Sequence, residues 1–286
     1  MTFSTKSQDR ANLNYYKEAN SKIEPAKPGE KRVVFMGNSI TEFWGTNHPE
    51  FFKENPYINR GINGQTTALM LMRFDADVIQ LQPEVVVFSG GTYDIAENPG
   101  PVTTEQIMSN IGAMAQMAQT AGIKVILCSV LPVYQFYWRP DIQPIEQIIT
   151  LNNLIKTYSE ENGMVYADYY SALVNEEKGL KDEYTWDGIH PNREGYLVME
   201  LIIQNAIQKT LAGTPVNALP EIPVAAGNRV LNLPGKNRQV TFFTVMPDKN
   251  KMEAARNIPA KKQNNCLHHD DNIAGAAVRE EMKNLS

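Results

Sequence analysis

Three apolar runs dominate the first half of the chain: Arg32 to Met36 (Arg-Val-Val-Phe-Met), Glu84 to Ser89 (Glu-Val-Val-Val-Phe-Ser) and Lys124 to Ser129 (Lys-Val-Ile-Leu-Cys-Ser). Each is short, rich in β-branched residues and lacks the polar alternation of a strand with one wet face. Such runs form strands only where both faces are covered, which is the situation of a parallel sheet between helical layers. Weaker strand candidates are Tyr57 to Asn59 and Met164 to Asp168. Between them lie helical patterns: Thr66 to Gln80, Thr103 to Ala121 before Gly122, Pro144 to Asn162 before Gly163, and Pro191 to Leu211 before Gly213. The glycines mark helix exits, and Pro144 and Pro191 suit a first helical turn. Alternating strands and helices with right-handed crossovers give a five-stranded α/β/α sandwich whose ligands bind at the carboxyl ends of the strands.

Residues 31–212 therefore make the main domain. An amphipathic stretch, Ala11 to Ile23, predicts a helix within an N-terminal segment of residues 1–30. Residues 213–286 change character. Pro215, Pro220 and Pro223 read as a linker, Arg229 to Leu233 and Arg238 to Met246 as a β-hairpin, and Pro247 to Ser286 as a charged, loosely packed tail. A net charge of -5 gives no electrostatic reason to expect a nucleic-acid partner. Two cysteines, Cys128 in an apolar run and Cys266 in the tail, do not make a disulfide framework or a cysteine zinc site. No apolar run is long enough to span a bilayer, and Met1 to Arg10 lacks the apolar core of a secretory signal, although a mature exported chain would look the same. Compartment and oligomeric state stay open. His268-His269-Asp270-Asp271 resembles a metal cluster only on paper, so neither metal nor cofactor is expected.

Serine chemistry is suggested by residues far apart in the chain. Ser39 follows the first strand, and Asp187 and His190 are three residues apart in one loop. A serine hydroxyl attacks an acyl carbon only when a base removes its proton, and a neutral imidazole is the usual base. Asp187 could hold one ring nitrogen of His190 and stabilise the imidazolium. His48 precedes Pro49 in an expected surface segment and His268-His269 lie in the tail, which leaves His190 as the histidine with an orienting acid nearby. Plainer readings exist. Asp187 could cap the helix after Pro191, and Ser39 could cap the helix that follows it, although Thr41 and Glu42 would serve as well. Gly64 could be a simple turn glycine.

Ser39, Gly64, Gly91-Thr92-Tyr93-Asp94 and Asp187-Gly188-Ile189-His190 resemble, in order, the sequence blocks of the GDSL or SGNH hydrolase family, over roughly Lys31 to Leu211. Gly37 to Glu42 (Gly-Asn-Ser-Ile-Thr-Glu) and Asp187 to Asn192 are similar to the bacterial acylhydrolase branch. The resemblance implies a flavodoxin-like sandwich, a Ser39, Asp187 and His190 triad, and an oxyanion hole made by the backbone N–H groups of Ser39 and Gly64 with a side chain at position 93. Asn38 stands where the name-giving block has Asp, and keeps its hydrogen-bonding shape without the charge. Position 93 departs further, with Tyr in place of the family's Asn. The tyrosine hydroxyl lies farther from the backbone and needs another path to the same point, or its ring fills the acyl pocket instead. Asp94 is expected to shape its loop.

The expected activity is cleavage of short acyl esters through an acyl-serine intermediate, on a small-molecule or carbohydrate substrate. The alternative is a catalytically impaired binding module that holds a glycan. Trp44, Tyr134, Phe136, Tyr137, Trp138 and Arg139 form an aromatic and basic set in expected post-strand loops, with Asn38, Trp138 and Arg139 as candidate substrate contacts, or else as surface packing. Loss of one oxyanion donor costs about 10²–10³ in kcat. If Tyr93 is a damaged donor, Tyr93→Asn raises kcat on p-nitrophenyl acetate.

Overall fold

The computed structural model describes residues 11–213 and the backbone of two short strands, 230–232 and 239–241. In the first unit, five strands alternate with helices: α1 Lys17–Ser21, β1 Val33–Gly37, α2 Ser39–Asn47, α3 Pro49–Lys53, β2 Tyr57–Gly61, α4 Thr67–Asp77, β3 Val85–Ser89, α5 Thr92–Ile95, α6 Thr104–Thr120, β4 Lys124–Cys128, α7 Ile145–Glu161, β5 Val165–Ala167, α8 Tyr169–Leu173 and α9 Arg193–Ala212. The sheet order is β2-β1-β3-β4-β5 and every pairing is parallel. This is the five-stranded parallel α/β sandwich that the apolar runs and crossovers imply.

Alternation along each strand divides the core. Val34, Met36, Val86, Phe88, Val125 and Leu127 face α4, α6 and α7 through Met70, Phe74, Ile111 and Leu151. Val33, Phe35, Val85, Val87, Ile126 and Cys128 face the other way, toward Ile40, Trp44, Phe51, Tyr196 and Ile203. Burying each such side chain contributes roughly 1.5–3 kcal/mol, so both helical layers are needed to cover the sheet. Trp44, expected in a loop, belongs to this second core: it is stacked on Phe51 at 4.7 Å and lies beside Tyr196 at 5.4 Å.

The register brings strand ends level. Gly37 pairs with both Gly61 and Ser89, so β1, β2 and β3 finish together. Chain order reverses between β1 and β3, which leaves a crevice outside their carboxyl ends. Gly61 is packed so closely that a Cβ there would lie 2.1 Å from the Glu42 nitrogen. Only glycine lets β2 end against the first turn of α2.

A buried arginine ties these ends together. Arg73, on α4, donates to the Gly37 carbonyl at 3.1 Å, the Arg60 carbonyl at 2.9 Å, the Gln65 side chain and the Asp77 carboxylate at 2.9 Å. Burial pushes its pKa down, and Asp77 opposes that shift.

Several boundaries differ from the sequence reading. The N-terminal segment is helical only over Lys17–Ser21, because turn bonds to the Asn12 and Asn14 carbonyls and a positive φ at Asn12 break the pattern before it. α4 ends at Asp77 and is followed by a separate 3₁₀ turn, Ile79–Leu81. α9 begins two residues after Pro191, with Asn192 as its cap: its Oδ1 accepts from Gly195 N at 2.9 Å. The short helices α2, α3, α5 and α8 carry little periodic signal.

Residues 219–286 form a separate unit, of which only β6 Val230–Asn232 and β7 Gln239–Thr241, paired antiparallel, are described. The His268 to Asp271 run lies outside the described residues. Among those described, no helix is long and apolar enough to cross a membrane.

Removing the Arg73 donors leaves the buried Asp77 without its cationic partner and takes one donor each from the Gly37 and Arg60 carbonyls. Arg73→Met is expected to destabilise the domain by about 3–5 kcal/mol in urea unfolding. A loss of about 0.5 kcal/mol or less, the range of neutral surface changes, would contradict this role.

Candidate active site

Ser39 is the first residue of α2, immediately beyond β1. Its cap is Asn38, whose Oδ1 accepts from Ile40 N at 3.1 Å, so neither Ser39, Thr41 nor Glu42 serves that purpose. This bond also fixes the buried Asn38 as backbone support, its oxygen turned into the helix start rather than toward a substrate. At the N-terminus of α2, the Ser39 peptide N–H lies where helix dipoles favour negative charge.

The acid and base reach Ser39 from the other end of the domain. Tyr196, in the first turns of α9, donates its hydroxyl to the Ile40 carbonyl at 2.8 Å and docks α9 against α2. The preceding loop closes on itself: Thr185 Oγ1 donates to the His190 carbonyl at 2.7 Å and accepts from Gly188 N at 3.0 Å. Asp187 Oδ1 accepts from the backbone N–H groups of Ile189 and His190 at 2.9 and 2.7 Å. Its other oxygen lies 2.7 Å from His190 Nδ1, and His190 Nε2 lies 2.9 Å from Ser39 Oγ. The helix-capping alternative for Asp187 is thereby corrected, since Asn192 caps α9.

Burial would raise the Asp187 carboxyl, but the His190 ring bond and the two backbone donors hold it below the usual carboxylate range. An ionised acid accepts only, so Nδ1 carries the ring proton and Nε2 is the free acceptor facing Ser39. The arrangement can withdraw the serine proton and stabilise the resulting imidazolium.

Tyr93 solves its geometric difficulty through α5. The buried helix turn after β3 directs the ring toward α2, and its hydroxyl lies 3.1 Å from Ser39 Oγ and 2.8 Å from Asn63 Oδ1. Gly64, the next residue after Asn63, has a φ of +77° that suits glycine. Burial raises the Tyr93 pKa, opposed by the Ser39 bond, so the phenol stays a protonated donor. Asp94 faces away: its carboxylate accepts from Thr67 N at 2.9 Å and Thr67 Oγ1 at 2.6 Å, anchoring the start of α4.

Around this centre, Phe43 lies 5.2 Å from the His190 ring and the exposed Trp186 lies 5.7 Å from it on the loop. Trp138 stacks on Tyr93 at 5.8 Å and meets the exposed Tyr137 edge-on at 4.8 Å. Arg139 does not join them. Its guanidinium is bound by Glu97, Asp141 and the Ala96 carbonyl, because two acids flank it, and it braces the loop after α5. Phe136 is wholly buried.

Asn63, Phe43, Thr185 and Trp186 escaped the sequence reading, although Asn63 and Trp186 adjoin motif residues. His48 was misplaced. It is buried at the junction of α2 and α3, with Nδ1 3.0 Å from Glu200 Oε2 of α9. No cluster among the described residues could hold a metal ion.

The parallel sheet in the order β2-β1-β3-β4-β5, with Ser39 after β1, Gly64 after β2, Tyr93 after β3 and Asp187 and His190 before α9, defines an SGNH-type fold. The chain belongs to the GDSL-like lipase/acylhydrolase family, whose model matches residues 35–198. A proposed acylhydrolase from Bacteroides fragilis is 48% identical, with a TM-score of 0.70 over 71% of this chain and 99% of that one. A GDSL-like lipase from Bacteroides thetaiotaomicron is 46% identical, with a TM-score of 0.68 over 70% and 98%. An acetylxylan esterase from Xylanibacter ruminicola is 26% identical over 65% of this chain and 45% of its own length. The chain spans about half the length of the curated relatives it matches.

Asp187→Asn tests the orientation of the base. The amide can keep its shape but presents a donor to Nδ1, favouring the wrong tautomer, and kcat on p-nitrophenyl acetate is expected to fall about 10⁴-fold. A fall of less than about tenfold would remove Asp187 from the relay.

Proposed function

We propose that this protein is a serine esterase that cleaves short-chain acyl esters through an acyl-Ser39 intermediate. The observation that carries the reading is the continuous chain from Asp187 through His190 to Ser39, at 2.7 and 2.9 Å. His190 Nε2 takes the Ser39 proton as Oγ bonds the acyl carbon. The oxyanion then faces the backbone N–H groups of Ser39 and Gly64 and the Tyr93 hydroxyl. Collapse expels the alcohol, which receives the proton from His190. Water, deprotonated by the same imidazole, attacks the acyl carbon in turn and releases the acid and Ser39.

Tyr93 fills this scheme as a donor rather than as a gap. In the free site its hydroxyl can donate to Ser39 Oγ or to Asn63 Oδ1, and an oxyanion beside Ser39 offers it a charged acceptor. Its ring and that of Trp138 take up space beside the nucleophile, which supports an acetyl-sized acyl group. The exposed Trp186 and Tyr137 rings suit the apolar face of a sugar as the alcohol portion, and the acetylxylan esterase relative agrees with that class. Arg139 has no part in this proposal.

One observation favours the impaired binding module instead. The Tyr93 hydroxyl, where the family has Asn, already engages Ser39 Oγ and Asn63 Oδ1, at 3.1 and 2.8 Å, beside the place an oxyanion would need. Labelling with a fluorophosphonate separates the two readings: labelling abolished in Ser39→Ala supports the esterase, whereas folded protein that never labels supports the binder.

Tyr93→Phe is expected to lower kcat by about 10²–10³, the cost of one oxyanion donor. Tyr93→Asn, whose shorter amide falls short of the site reached along α5, is expected not to exceed the parent. A gain in Tyr93→Asn would restore the damaged-donor reading. Across p-nitrophenyl esters, kcat/KM should fall at least about tenfold from acetate to octanoate. A rise with chain length would refute the short-acyl assignment.

A further inference from the structure

The loop after β2, Ile62 to Thr66, carries both Asn63 and Gly64; Gln65 N closes it on the Ile62 carbonyl at 3.3 Å, and its neighbours hold it from outside. Glu42, on the same first turns of α2 as Ser39, accepts the Asn63 backbone N–H on Oε2 at 2.6 Å. Its other oxygen accepts the hydroxyl of Tyr15, from the N-terminal segment. Asn63 Oδ1 in turn receives the Tyr93 hydroxyl, which reaches Ser39 Oγ. A chain of polar contacts thus leads from a half-exposed tyrosine on the surface to Ser39, with the Tyr93 proton shared between Asn63 Oδ1 and Ser39 Oγ at its end.

The same segment holds the loop at two further points. Gln65 Nε2 donates to the Ala11 carbonyl at 2.7 Å, and the Tyr16 hydroxyl donates to the Gly61 carbonyl. Arg60 lies over the Tyr16 ring at 4.5 Å and bonds Asn20 at 2.9 Å, which fastens the segment to the end of β2. Glu42 is the one member that touches loop, N-terminal segment and nucleophile helix together. Its hydrogen bond is the largest cause of the rise of the Tyr15 pKa to about 12, so this phenol remains a donor at neutral pH.

We infer that Glu42, braced by Tyr15, is a positioning residue that orients the Asn63-Gly64 peptide and the Tyr93 hydroxyl toward the oxyanion, making residues 11–23 a working part of the active site. The inference rests on the esterase reading. The Asn63 N–H is held by a helix residue, which fixes the start of the turn, and the Gln65 N–H bond to the Ile62 carbonyl at 3.3 Å closes that turn around the next peptide, which presents the Gly64 N–H. Without Glu42 the Asn63 N–H turns to water and the peptide rotates more freely. Oxyanion stabilisation depends on donors already aimed before charge develops.

The test compares Glu42→Ala, Glu42→Gln and Tyr15→Phe with the parent full chain on p-nitrophenyl acetate, with active sites counted by fluorophosphonate titration. Glu42→Ala should lower kcat per titrated site about tenfold with KM nearly unchanged, less than the loss of a donor outright. Glu42→Gln can accept from Asn63 with its oxygen and donate to the Tyr15 hydroxyl with its amide, and should recover to within about threefold of the parent. Tyr15→Phe should cost about twofold to threefold alone and nothing further in the Glu42→Ala background, because the two act in one chain. A merely structural role would reduce the number of titrated sites and leave kcat per site unchanged. Parent-like kcat per site in Glu42→Ala and Tyr15→Phe would overturn the inference while leaving the esterase intact. A parent that neither labels nor turns over would overturn the esterase reading itself.

Discussion

The buried guanidinium of Arg73 ties together the carboxyl ends of β1 and β2 and the loop that follows them. Parallel strands that end level leave carbonyls pointing into a crevice where no further strand can pair with them, and unsatisfied buried carbonyls are costly. Arg73 donates to two of them, at Arg60 and at Gly37, where it joins the Ile62 N–H, and also holds Gln65 at the end of the loop that carries Gly64. Asp77 compensates its charge from the same helix, one turn away. An arginine fits where lysine would not, because a planar fork can address several fixed acceptors at once. The nucleophile helix and the glycine loop are consequently placed by one side chain that takes no part in the chemistry.

Around Ser39 the polar groups form a network whose direction is set by which members can only accept and which can only donate. Asp187, kept ionised by its backbone donors and the imidazole, defines the histidine tautomer. Tyr93, kept protonated by burial, defines the other end. Between them the serine has one proton to give and one lone pair already engaged, which orients its hydroxyl without any charge on Ser39 itself. The departure at position 93 is accommodated by a helical turn and by stacking on Trp138, so the longer side chain is built into the site's structure.

Strands and long helices were legible because burial on both faces and a 3.6-residue repeat leave strong marks in composition. Ser39, Asp187 and His190 were legible because two of them share a loop of four residues and the third directly follows a strand. Arg73 was not. Between Met72 and Phe74 it looks like an ordinary helix-surface cation, and its acceptors are backbone carbonyls that have no sequence signature. His48 and Trp44 were misread for a related reason: α2 and α3 are too short to show periodicity, and only the aromatic packing of Phe35, Phe51 and Tyr196 draws Trp44 inward. The reach of the Tyr93 hydroxyl depended on the local turn of α5, and that of Glu42 on the absence of a side chain at Gly61.

The loop from Thr185 to His190 bonds many of its own polar groups, while Ile189 anchors it in the core and His190 meets Phe43 and Ser39. Its carboxylate and imidazole consequently travel as a single preassembled cartridge on the front of α9. Drift between the two halves of the sandwich would lengthen one gap, from imidazole to hydroxyl, while the internal tuning of the pair survived. Such a division leaves the pair's own hydrogen bonding to the loop and its reach to Ser39 to the docking of α9 on α2.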